Sequence, residues 1–201
     1  MRFVFDIDNV VYNSIETCIS AYIDNRITDV EDIKIPSSDD CYQFNMKDIM
    51  PDLGDNELQY IFDGDFFFEN IILIEGMTEL INSLHDKGHE IIFATFGLTK
   101  NVCKKLVDLR RRFPFCKITP IVADWGDSLS KDFFNMNSQP TIFIDDQTKY
   151  LNDSNAAHCI MFSQFAENSY DREWNKNWGG LKANSINNLE WVVAMILETE
   201  K

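Results

Sequence analysis

The sequence predicts an α/β protein with a three-layer, Rossmann-like parallel sheet and a small, mostly helical segment inserted after the first strand. Short apolar runs of strand length alternate with amphipathic stretches of helical period, a spacing that implies parallel strands joined by right-handed crossovers. Between about residues 24 and 65 this alternation fails, and no strand signal interrupts the acidic segments punctuated by Pro36, Pro51, Gly54 and Gly64. Polar signals also gather where strands end: Asp6 and Asp8, then Thr95, then Asp145 and Asp146. Ligands of such folds bind beyond the C-terminal ends of the strands, so these residues are the candidate site.

Phe3-Val4-Phe5 is an apolar run of strand length that stops at two carboxylates. An extended chain sends Asp6 and Asp8 to the same side and turns Ile7 away between them. Such a pair is costly unless a cation or a proton compensates it. Ile15, Cys18, Ile19, Tyr22 and Ile23 then recur at helical spacing, with Asn13 in the N-cap position and Glu16 three residues on. The inserted segment follows, and ends near the aromatic run Phe66-Phe67-Phe68. Met77, Leu80, Ile81 and Leu84 form the apolar stripe of the next helix, which Gly88 closes at C′.

Glu90 to Thr95 reads as a buried strand, and Val102, Leu106, Leu109 and Phe113 as the apolar face of the helix after it. A strand at Ile118 to Val122, a short helix around Leu129 to Phe134 and the strand Thr141 to Ile144 come next. A further strand fits Ala157 to Phe162. The stretch from Ser163 to Ser185, rich in Asn and Trp, is expected to be an irregular loop over the sheet edge. Ile186, Leu189, Val193, Ile196 and Leu197 form a closing amphipathic helix. On this reading residues 1–14 and 72–201 make the core, and 15–71 the insertion.

Composition narrows the function. With 201 residues the chain is long enough for a sizeable core. A net charge of -15 repels a polyanion, which argues against stable nucleic-acid binding and for a small substrate. Cys18, Cys41, Cys103, Cys116 and Cys159 are dispersed and odd in number, fitting reduced thiols better than a disulfide frame. The three histidines form no zinc-like cluster. No apolar run reaches membrane-spanning length and no leader pattern is evident, so a soluble, cytoplasmic protein is expected.

The ordered set of Asp6-x-Asp8, Thr95, Lys131 and Asp145-Asp146, each placed relative to a strand, resembles the four motifs of the haloacid dehalogenase (HAD) superfamily, across nearly the whole chain. The insertion stands where that superfamily carries a C1 cap. Phe66-Phe67-Phe68-Glu69-Asn70, Glu75-Gly76-Met77 and Asp145-Asp146 resemble its 5′(3′)-deoxyribonucleotidase branch. The resemblance implies that Asp6 is the nucleophile forming an aspartyl-phosphate. Asp8 is then the acid and base that serves the leaving group and the hydrolytic water. Mg²⁺ would be held by the Asp6 carboxylate, the Asp8 carbonyl and the Asp145/Asp146 pair, while Thr95 and Lys131 bind the transferring oxygens. Asn9 stands where the superfamily usually has glycine; asparagine tolerates positive φ, so the turn survives.

Phe44 and Phe66 to Phe68, with Tyr42, Tyr60 and Phe62 nearby, offer the insertion an aromatic surplus suited to a nucleobase. The expected activity is therefore a Mg²⁺-dependent phosphatase of nucleoside monophosphates. A sugar or metabolite phosphate as substrate is the alternative within the same chemistry, and a catalytically silent binding protein the alternative outside it. A homodimer is compatible with this reading.

Overall fold

The computed structural model describes residues 1–26, 54, 61–62, 64–122, 136–137, 139–164 and 177–200. Six strands form one sheet in the order β3-β2-β1-β4-β5-β6, parallel throughout. They are β1 (Arg2–Phe5), β2 (Glu90–Gly97), β3 (Lys117–Val122), β4 (Thr141–Asp145), β5 (His158–Phe162) and β6 (Leu181–Ala183). The described helices are α1 (Ser14–Arg26), α2 (Asp65–Glu69), α3 (Met77–Asp86), α4 (Thr99–Arg112), α5 (Thr148–Asp153) and α6 (Ile186–Thr199).

Alternation along the strands builds two cores. Phe3, Phe5, Phe93, Ile142, Ile144, Ile160 and Phe162 point to one face, where they meet Met77, Leu80, Ile81 and Leu84 of α3, Leu109 of α4 and Leu189, Val193 and Ile196 of α6. Val4, Ala94, Phe143 and Met161 point to the other, against Leu151 of α5 and Met136. Strands buried on both faces are what the unbroken apolar runs required. This is the three-layer parallel α/β architecture that the sequence predicts. Gly88, at φ 84, ends α3 in the left-handed conformation, and His89 N–H returns to the Leu84 carbonyl at 3.1 Å.

The structure departs from the sequence reading in three places. The stretch from Ser163 to Ser185 holds a strand, β6, paired with β5; three residues are too few for alternation to register. The six residues of α5 were likewise too short for a helical period to show. In α4 the buried face comprises Asn101, Val102, Lys105, Asp108 and Leu109, while Leu106 is only half-buried. The helix turns part of a polar stripe inward because it borders a charged site. The expected short helix at Leu129 to Phe134, and most of the inserted segment, lie outside the described residues.

Residues 11–17 and 72–74 lie side by side. Asn13 N–H donates to the Ile72 carbonyl at 2.8 Å and Ile74 N–H to the Val11 carbonyl at 3.1 Å, with Tyr12 and Leu73 in an antiparallel bridge. The Thr17 hydroxyl accepts from Ile72 N–H at 3.1 Å and donates to the Asn13 carbonyl at 2.8 Å, so the two stretches are tied together. Asn13 also caps α1, its Oδ1 accepting from Glu16 N–H at 3.4 Å. Among the described residues no helix is long and apolar enough to cross a membrane.

Candidate active site

Strand register assembles the site. Phe5 of β1 is level with Phe93 of β2 and with Ile144 of β4, so Asp6 and Asp145 emerge together and Thr95 stands one pleat further along β2. Asp6 N–H continues the ladder to the Ile144 carbonyl at 2.9 Å before the chain turns. The turn is tight: Val11 and Tyr12 N–H groups both reach the Ile7 carbonyl at 2.9 Å. Ile7 itself is fully buried in the core, as alternation required.

Three acids meet at this point. Asp6, Asp145 and Asp146 are each buried and offer carboxylate oxygens within 4.8 Å of one another. At that separation two ionised carboxylates repel by about 3 kcal/mol at an effective dielectric constant of ~20, so the cluster calls for a cation or a proton. Asp145 Oδ1 accepts from Gln147 N–H at 2.8 Å, a local turn that fixes its rotamer. Asn9 adopts φ 59, the positive value expected of it, and its side chain works in both directions. Its Nδ2 donates to Asp146 Oδ2 at 3.2 Å, and its Oδ1 accepts from Ile15 N–H at 3.2 Å. A glycine could make the turn but not this link between α1 and the acidic cluster.

Asp8 diverges from Asp6. Its Oδ1 accepts from Ser14 Oγ at 2.6 Å, and its Oδ2 is paired with the ammonium of Lys105. Lys105 is fully buried, and its ammonium also lies 5.3 Å from the centre of the Phe62 ring. One turn further along α4, Asp108 accepts from Tyr12 Oη at 2.8 Å, from Arg111 at 2.8 Å and from Arg112 at 2.7 Å. Burial first, and then the neighbouring Asp108 carboxylate, pushes the Tyr12 phenol well above its ordinary value, so Tyr12 stays a neutral donor. Asp108 gives Arg111 and Arg112 partners within their own helix, beyond the dipole effect expected of a basic C-terminus.

Thr95 is fully buried, and its hydroxyl has no hydrogen-bond partner among the described residues. Among the described residues two other buried side-chain atoms share that condition: Asn101 Oδ1 in the first turn of α4 and Thr148 Oγ1 at the start of α5. Thr95 lies two residues before the end of β2, and Asn101 and Thr148 follow the ends of β2 and β4. Unsatisfied buried polar atoms are rare in folded chains, so each of the three stands out as a donor or acceptor not spent within the described residues. Lys131 and Phe44, with Tyr42 and Tyr60, lie outside the described residues. Phe67 is fully buried, its ring 5.1 Å from those of Phe62 and Phe68, whereas Phe66 and Phe68 are half-buried. Lys104 pairs with Asp65 and stands 5.1 Å over the Phe68 ring, fastening α2 to α4.

The sequence reading brought Asp6, Thr95, Asp145 and Asp146 to one edge and missed Lys105, Ser14 and Asn101. A signal was available for Lys105: it falls three residues after Val102 and four before Leu109, in phase with the buried stripe.

No family model matches the chain, and no curated protein is similar enough to match it. Solved structures do match. A conserved haloacid dehalogenase-like protein of unknown function from Agrobacterium tumefaciens superposes with a TM-score of 0.63 at 13% identity, over 97% of this chain and 98% of that one. The fold is that of the HAD hydrolases. YfnB from Bacillus subtilis, described as a putative HAD-hydrolase and determined bound to magnesium, superposes with a TM-score of 0.61 at 15% identity, over 96% of this chain and 98% of its own. CbbY from Rhodobacter sphaeroides, determined in complex with phosphate, gives 0.58 at 15% identity over 94% and 95%. At these identities the likeness is one of fold. In that HAD-like frame the acidic cluster sits at the C-terminal edge, where the sheet order reverses between β1 and its neighbours.

Proposed function

We propose that the protein is a magnesium-dependent phosphomonoesterase of the HAD type, working through an aspartyl-phosphate on Asp6, with nucleoside monophosphates as its substrates and the cytoplasm as its setting. The observation that carries the reading is the buried Thr95 hydroxyl without a partner, one pleat from three converging carboxylates. An acidic cluster alone could be structural. An acidic cluster beside an unspent donor has the two parts that a phosphoryl group needs, a place for a cation and a hydrogen bond to its oxygens.

The donor set fits Mg²⁺, since Asp6, Asp145 and Asp146 offer only hard carboxylate oxygens. With the Asp8 carbonyl they would hold the ion, which supplies positive charge against the phosphoryl oxygens. Asp6 attacks phosphorus as the bond to the leaving oxygen breaks, and the Asp8 carboxylic acid gives that oxygen its proton. In the second half-reaction Asp8, now a carboxylate, takes a proton from water as the water oxygen attacks phosphorus and the bond to Asp6 breaks. Thr95 and Lys131 bind the transferring oxygens. The inserted segment acts as a cap over this edge, and its rings recognise the base. Within the run Phe66 to Phe68, Phe66 and Phe68 are half-buried and have area to spare for stacking. Cys18, Cys103, Cys116 and Cys159 form no disulfide among the described residues, in keeping with a reducing compartment.

A panel of phosphomonoesters assayed with Mg²⁺ and with excess chelator tests this reading. Nucleoside monophosphates should show the highest kcat/KM, and Asp6→Asn should abolish turnover while leaving the circular dichroism spectrum unchanged. Preference for glucose 6-phosphate or glycerol phosphate over every nucleotide would overturn the nucleotide assignment and leave the phosphatase standing. Wild-type turnover by Asp6→Asn would overturn the covalent mechanism.

A further inference from the structure

Lys105 has no part in the scheme above, yet it is the only fully buried lysine among the described residues. Taking an ammonium out of water costs several kcal/mol unless a partner and further contacts compensate it. The compensation here is specific. The ammonium pairs with Asp8 Oδ2 and rests against the face of Phe62. The opposite Asp8 oxygen receives the Ser14 hydroxyl at 2.6 Å. The carboxylate is therefore gripped at both oxygens, which fixes its plane as well as its position. Asp6, two residues earlier, is instead turned toward Asp145 and Asp146. The two acids of one strand end are separated by the partners each is given.

The helix that carries Lys105 is itself fixed. Asn101 Nδ2 donates to the Phe62 carbonyl at 3.1 Å, Lys104 pairs with Asp65 of α2, and Asp108 is tied to Tyr12 at the foot of the inserted segment. Each of these contacts joins α4 to the chain between Tyr12 and Asp65. A lysine serving only to neutralise charge would need no such bracing.

Resting on the phosphatase reading, we infer that Lys105 is a positioning residue for Asp8, holding the carboxyl group where it can exchange a proton with the leaving oxygen and then with water. In its acid form Asp8 still accepts from Lys105 at Oδ2 and carries its proton on Oδ1, where the Ser14 hydroxyl gives way to the leaving oxygen. Lys105 gains and loses no proton in either half-reaction, and it makes no contact with the phosphoryl group.

The consequences depend on the leaving group, because p-nitrophenolate departs without a proton and an alkoxide does not. Wild type and Asp6→Asn are first assayed with p-nitrophenyl phosphate and Mg²⁺. A wild type that releases phosphate from neither this ester nor any alkyl phosphate removes the phosphatase reading, and this assignment with it. Given an active wild type, Lys105→Met should keep the rapid release of one p-nitrophenol per chain within about threefold, while the later steady-state rate falls ~100-fold because water is no longer activated. On thymidine 5′-monophosphate kcat should fall by the same order with KM within about threefold. Lys105→Arg should recover part of both losses. Equal loss of burst and turnover, or a rise in KM alone, would mean that Lys105 binds the phosphate, and would overturn the assignment. Should Lys105→Met not fold, the comparison of Asp8→Asn with Asp8→Asn/Lys105→Met decides, since that pair is neutralised together. Equal burst rates support positioning through Asp8; a further loss of tenfold or more in the double variant refutes it.

Discussion

Replacing Thr95 by valine should raise stability and lower activity, opposite signs that few substitutions of a buried residue produce. The hydroxyl is fully enclosed and makes no hydrogen bond among the described residues, a condition that costs about 1–3 kcal/mol. Valine keeps the β-branched shape that suits a central strand and puts a methyl group where the hydroxyl was. Allowing for imperfect packing, the gain should be about 1 kcal/mol, or roughly 2–4 °C in Tm for a chain of this size. The same change removes a donor from the transferring oxygens, and losing one such donor costs about 10²–10³ in kcat. Thermal unfolding followed by circular dichroism gives the first quantity, and phosphate release under saturating substrate the second. A Tm lowered by more than about 2 °C would show that the hydroxyl is satisfied after all. A kcat within threefold of wild type would show that it does not face the phosphoryl group. Either result breaks the argument that an unspent donor marks the site.

Magnesium at ten times its Kd should stabilise the fold by ~1.4 kcal/mol, a shift absent from Asp145→Asn; calcium should bind but inhibit through its looser shell, and full activity in excess chelator would contradict the metal assignment. Asn9→Ala places a Cβ-bearing residue without a polar side chain at φ 59 and removes the links to Asp146 and Ile15, so a loss of about 2 kcal/mol is expected; Asn9→Gly should recover only the backbone share, as measured by urea unfolding. Glu90 is held at about 2, chiefly by Lys117 and then by Arg2 and Gln139, against an ordinary value of 4.5. Because the folded value is the lower one, this stabilisation is present above pH 4.5 and lost as pH falls towards 2. Glu90→Gln should therefore cost roughly 1 kcal/mol at neutral pH, discounted for its partial exposure, and the unfolding midpoints of variant and wild type should converge near pH 2; a constant gap across that window would refute the linkage.

By itself the sequence determined the layered α/β plan, because strands buried on both faces must be written as unbroken apolar runs, and Phe3 to Phe5 or Thr141 to Ile144 could be little else. It also determined which strand ends carry acids, since those residues are read directly against the ends of the runs, whereas β2 runs two residues past Thr95, to Gly97. The positive φ of Asn9 was legible too, because asparagine is the non-glycine residue that bears it most readily. Only the tertiary structure decided what each acid faces. Asp6 and Asp8 leave the same strand with the same chemistry, and the sequence spacing treats them alike. The order in which β4 and α4 pack beside β1 gives one of them two further carboxylates and the other an ammonium. Lys105 is ninety-seven residues from Asp8, and Asn9 is one hundred and thirty-seven from Asp146. Pairings at that separation follow from which helix is laid over which strand, and local periodicity carries no trace of them. β6 and α5 stayed hidden for a different reason, since each is shorter than the window in which a period can be seen.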